Sequence, residues 1–182
     1  MRTLVCSALA LSLLLAADAG AAGWPPPRSP VVAEADGYID IPGAAVQPRK
    51  EHVYKAVFNA TAAADAPSHL MPALNMAGSE LNAFAVAKVP SRNVKFVVVF
   101  HGDAIDGILD DAHYRAKFNT PNPNLKVLHE MKAAGVKLYV CGQNLAFANI
   151  DPKSIASDVT VASDALIVLM EYQNDGYALL SF

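Results

Sequence analysis

Hydrophobic and polar positions along this chain switch between two periods. Lys95-Phe96-Val97-Val98-Val99-Phe100 is an unbroken β-branched and aromatic run, the pattern of a strand buried on both faces, as in parallel sheets. It stops at His101-Gly102, where Asp103 is placed to cap a helix carrying Ile105, Ile108, Leu109 and Ala112 at helical spacing. Residues 136–140 repeat the buried-strand pattern and run into Cys141-Gly142. Shorter strands are predicted over 52–58, 158–162 and 177–182. A helix is predicted over 68–88, with Pro72 in its early turns and Leu74, Ala77, Leu81, Phe84 and Ala85 on one face; Gly78 weakens it. Residues 119–123 read as a loop. From Asn124 as cap, a helix follows with Leu125, Leu128 and Met131 inward, stopped by Gly135. Leu145 to Ala148 form a short helix. Ser163 caps a last one, with Leu166, Leu169 and Met170 inward and Gly176 breaking it.

Strands and helices in alternation are the βαβ signature. The predicted fold is α/β: a three-layer sandwich around a mostly parallel sheet of about five strands. Residues 51–182 hold this domain. The segment 22–50 differs, because it carries half of the chain's 12 prolines. Proline fixes φ and removes a donor, so this reads as an extended arm, an unstructured spacer by composition, with Trp24 as candidate anchor. Residues 1–21 read as a secretory signal peptide: Arg2, an uncharged run from Leu4 to Ala17 too short to span a membrane, then Ala17-Asp18-Ala19 as the cleavage pattern. The expected location is periplasmic or secreted. Cleavage removes one basic and one acidic residue, so the net charge stays at −3. That balance gives no footprint for nucleic acid, nor for a membrane once the leader is gone.

Cleavage also removes Cys6, which leaves Cys141 as the only cysteine. Stability then rests on packing rather than disulfides. In open α/β sheets ligands gather beyond the carboxyl ends of the strands. Two segments deliver polar groups there, His101-Gly102-Asp103 and Cys141-Gly142-Gln143-Asn144. If their strands are neighbours, His101 and Cys141 share one crevice, with Gly102 and Gly142 allowing close backbone approach. A cysteine near a helix N-terminus meets free N–H groups and the positive dipole end, which favour thiolate. Against this, free cysteine often only packs. The five histidines show no zinc spacing, so no metal or cofactor is predicted. His113 and His129 read as solvated, as does the pair Asp110 and Asp111. Phosphate-binding glycine loops and a nucleophile elbow are absent, and a Cys–His hydrolase lacks a visible orienting acid.

Three segments in order, Val97-Val-Val-Phe-His-Gly102, Val140-Cys-Gly-Gln143 after the 125–135 helix, and Ser163-Asp-Ala-Leu166 running to Gly176-Tyr177, resemble the DsrE/DsrF-like family of small sulfur-handling proteins. The resemblance covers roughly residues 75–182. It implies an α/β sandwich assembling with sister subunits into trimers or hexamers. It also implies a cysteine, here Cys141, that carries sulfane sulfur as a persulfide, exchanged with a donor or acceptor protein or with polysulfide. From their positions in the chain, His101 would assist proton movement or hold the thiolate, and Gly102, Gly142, Gln143 and Asn144 would bind the charged terminal sulfur. The alternative is a non-catalytic oligomeric binding or scaffold module with Cys141 buried for packing.

Overall fold

The computed structural model describes residues 23–182; the leader predicted over 1–21 lies outside them. In chain order the elements are β1 (Tyr54–Ala60), α1 (Pro72–Val86), β2 (Val94–Phe100), α2 (Asp111–Phe118), α3 (Leu125–Ala133), β3 (Lys137–Cys141), α4 (Gly142–Phe147), β4 (Thr160–Ala162), α5 (Ala165–Asn174) and β5 (Ala178–Ser181). The five strands form one all-parallel sheet in the order β4-β3-β2-β1-β5. This is the predicted α/β sandwich, with helices on both faces.

Alternation along the strands divides the core in two. Phe58, Phe96, Val98, Phe100, Leu138 and Val140 project to one face and join α1 and α3 in the larger apolar cluster. Val57, Val97, Val99 and Cys141 project to the other and meet Ala165 and Leu169 of α5. Each large side chain so buried contributes roughly 1.5–3 kcal/mol of transfer free energy. The coverage is unequal: α1 and α3 pack on the first face, whereas α5 is the helix that packs on the second.

Several local expectations are corrected. α1 begins at Pro72 rather than 68, because the residue before a proline, Met71, is held extended. Asp103 makes no cap bond; residues Gly102–Ile108 wind as a 3-10 turn, and a separate helix, α2, starts after Asp110. Where this turn ends, Asn122 Nδ2 donates to the carbonyls of Gly107 (3.0 Å) and Leu109 (2.6 Å). Asp110 caps α2 by accepting the His113 N–H at 2.8 Å. Asn124 does not cap α3 with its side chain either; its Oδ1 accepts the Met71 N–H at 2.9 Å. The α5 cap is Asp164 instead of Ser163, accepting from Leu166 (2.7 Å) and Ile167 (3.2 Å). The buried stripe is accordingly Ala165 and Leu169, and Leu166 and Met170 are 59% and 56% exposed rather than inward.

The proline-rich segment packs on its own domain. Val32 and Ala35 are buried against α1, while Trp24, the expected anchor, is 59% exposed. Asn82, fully buried on α1, accepts the N–H groups of Val31 (2.9 Å) and Val32 (3.0 Å) and donates to the Val32 carbonyl (2.9 Å). Gly78 belongs to the same contact. A Cβ there would lie 2.6 Å from the Ala35 Cβ, so the helix tolerates glycine because the arm crosses it.

Candidate functional site at the carboxyl edge

The register fixes which edge residues share a face. Asn59 pairs with Val99 and Val99 with Tyr139. Two residues on, past the last paired step Phe100 to Val140, His101 and Cys141 stand side by side on neighbouring strands. His101 keeps extended backbone, so its side chain follows Val97 and Val99 to the α5 face, where Cys141 also points. The register thus sets these two residues at neighbouring strand ends on one face of the sheet.

Cys141 is the terminal residue of β3 and the N-cap of α4. Its thiol is free, and the residue is buried, 4% exposed. Val57, Val97, Val99, Ala165 and Leu169 form the apolar cluster around it. The one polar contact to the sulfur among the described residues comes from α5, whose Ala165 N–H donates to Sγ at 3.3 Å. The sulfur therefore lies under the first turn of α5.

His101 is half-buried. Asn59 Oδ1 lies 2.6 Å from its Nε2. Because an amide oxygen only accepts, Nε2 carries the proton, and a neutral ring keeps its lone pair on Nδ1. Asn59 in turn donates from Nδ2 to Ser181 Oγ at 3.4 Å, which orients its oxygen toward the ring. Burial pushes the His101 imidazole below the ordinary histidine range, and the nearby Asp164 carboxylate opposes this in part. The ring is thus neutral at neutral pH and faces an acidic group that would stabilise its protonated form.

Of the four predicted binding residues, Gly102 and Asn144 join the two loops, whereas Gly142 and Gln143 lie against the end of β4 and the residue after it. Gly102, at φ +60, donates its N–H to Asn144 Oδ1 at 3.2 Å. Gln143 Nε2 reaches the Ser163 carbonyl at 3.4 Å. A Cβ on Gly142 would meet the Ala162 carbonyl oxygen at 2.7 Å, so its close approach is to β4 of this chain. Asn59 and Asp164 were missed from sequence. Asn59 lies just past the strand predicted over 52–58, and no local signal marked it. Asp164 was passed over for its neighbour Ser163. His113 and His129 lie on solvated surfaces, paired with Asp110 and Asp158. Among the described residues no group of three His, Cys, Asp or Glu is placed to hold a metal ion, and no helix is long and apolar enough to cross a membrane.

Comparison with known proteins agrees with this architecture. The model of the DsrE/DsrF-like family matches residues 52–182. Among solved structures, a protein of unknown function, MTH1491 from Methanobacterium thermoautotrophicum, aligns with a TM-score of 0.54 at 17% identity, covering 71% of this chain and 99% of that one. The ychN protein from E. coli aligns at 0.48 and 17% identity, covering 71% and 100% respectively. No curated protein matches the chain. The family match spans the whole sheet, both apolar clusters of strand residues and the edge carrying Asn59, His101 and Cys141, and by it the chain belongs to the DsrE/DsrF-like family.

Proposed function

We propose that this protein is a sulfur carrier that holds sulfane sulfur as a persulfide on Cys141 and hands it to an acceptor. The family suggests a sulfur-related role. The observation that carries the finer reading is the Ala165 N–H aimed at Sγ from the start of α5, with His101 one register step away on the same face. In loading, the Cys141 thiolate attacks the outer sulfur of a persulfide or polysulfide donor. An S–S bond forms at Sγ, the donor's S–S bond breaks, and the donor leaves as a thiolate with the electron pair. Transfer runs the same exchange toward an acceptor thiolate, so no oxidant or reductant is consumed. Once the edge opens and the two side chains meet, His101 Nδ1 takes the thiol proton, and Asp164 favours the resulting imidazolium. The Ala165 N–H meets negative charge on sulfur. Cys141 is only 4% exposed and its sulfur accepts the Ala165 N–H, so on this reading loading involves movement of the first turn of α5.

That burial favours a second reading, in which Cys141 packs the core of a non-catalytic oligomeric module. Intact-mass measurement after polysulfide treatment separates the two. The carrier reading expects a species heavier by one sulfur atom, reversed by reductant and missing in Cys141→Ala. A folded protein that gains no such sulfur, and whose thiol a small maleimide labels only in denaturant, supports the second reading.

A further inference from the structure

On the face that carries α1 and α3, two helices do not span five strands. A helix is about 10 Å across and strands lie about 4.8 Å apart. With α1 over β1 and β2 and α3 on β3, the outer strand β5 is left bare. The result is a recess of about 370 Å³ walled by Met76, Glu80 and Phe84 of α1 and floored by Phe58, Phe96 and Phe182. This volume lies within the usual range of small-molecule sites. A second recess of about 280 Å³ shares Tyr54, Glu80 and Phe84 with it and extends to Tyr38 and Val46 of the arm. Glu80 stands where the two meet. One end of the groove is therefore built by residues outside the family match at 52–182.

The lining selects a chemistry. Aromatic rings dominate the floor: Tyr54 and Phe84 are 4.3 Å apart between centroids, Phe58 and Phe96 5.0 Å, Phe84 and Phe96 6.0 Å. Ring faces attract cations and repel anions. The other charged residue at the recess, Lys55, turns its ammonium to the far face of the sheet, donating to the Asp175 carbonyl at 2.9 Å and lying over Tyr177. Glu80 is thus a half-buried carboxylate in an apolar wall; burial pushes its carboxyl up, and no cation or donor within the described residues offsets this. A neutral or anionic ligand would desolvate that carboxylate without compensation.

We propose that this groove binds a small organic cation, an ammonium with an apolar aryl or alkyl body, its charge on Glu80 and its body across Phe58, Phe96 and Phe182. The site lies on the opposite sheet face from Cys141 and is independent of sulfur loading. Titration calorimetry and NMR of the full chain with phenylbutylammonium, against phenylbutanol and phenylbutyrate, test it. The ammonium is expected to saturate, to shift the Met76 methyl and Phe182 ring signals, and to bind at least about tenfold tighter than either control. Glu80→Gln should erase that preference, Met76→Trp should block binding by filling the recess, and Cys141→Ala should bind as the parent does. Equal binding of all three probes, an ammonium affinity unchanged in Glu80→Gln, or shifts confined to other parts of the molecule would overturn the proposal. So would failure of the ammonium to bind because a basic side chain of a second copy already covers Glu80, seen as binding that appears only on dilution to monomer.

Discussion

Asn59 decides which nitrogen His101 presents to the sulfur side of the edge, and burial decides whether that nitrogen is free. Because the folded ring titrates below its ordinary value, the folded chain binds fewer protons here than the unfolded chain does in the interval between the two values. The contribution of His101 to stability is therefore complete above about pH 6.5 and is lost as pH falls through the folded value. Asp110 and Asp111, held low by the His113 backbone N–H and by Arg115 respectively, lose theirs in a separate and more acidic window. Proton NMR should place the His101 midpoint below about 6.5, and unfolding free energy should fall less between neutral and mildly acidic pH in His101→Gln than in the parent. A midpoint at or above the ordinary value would contradict the neutral imidazole. At this scale Cys141 and His101 were legible because each follows an apolar run. Asn59 was not, since its role depends on a contact across 42 residues of sequence.

The arm shows what composition hides at the scale of elements. Prolines deny a segment the regular backbone ladder, yet they do not prevent packing when a side chain supplies the missing partners. Asn82 does so with three bonds to Val31 and Val32, and Gly78 leaves the space. Each buried backbone group left unpaired costs about 1–3 kcal/mol, less where it can turn to water. Asn82→Ala should therefore lower stability by about 2 kcal/mol in urea unfolding. Amide exchange at Val31 and Val32 should rise toward that of a free chain while β2 stays protected. Unchanged exchange in the arm would show that Val32 packing alone holds it. The α5 phase was also misread: the helix buries Ala165 and Leu169, a stripe offset by one residue or about 100°, and turns Leu166 and Met170 outward.

The whole molecule leaves one sheet face thinly covered. α5 presents Leu166, Ile167 and Met170 to solvent, and Leu179 of the adjoining edge strand is also exposed. Apolar surface grouped in this way is the kind that interaction sites use, and the assembly with sister subunits expected from the family resemblance is the occupant to test. Sedimentation should find an oligomer in the parent, and the double variant Ile167→Glu, Met170→Glu should sediment as a folded monomer. A monomeric parent at tens of micromolar or above, roughly, would remove that assembly. Topology at this scale was readable in advance, because alternating strand and helix patterns admit few parallel arrangements. The outward face of α5 was not, since periodicity reports an apolar stripe but not whether its cover is the same chain or another.

A single peptide unit, the amide of Ala165, separates the sulfur of Cys141 from the outer contour formed by Leu166 and Ile167. On the carrier reading, a second sulfur atom on Sγ would have to share or displace the contact with that amide. Occupancy inside would then be written on the exterior of the protein. By thermodynamic reciprocity, whatever clasps that exterior would change the ease of loading by the same factor that loading changes the clasp.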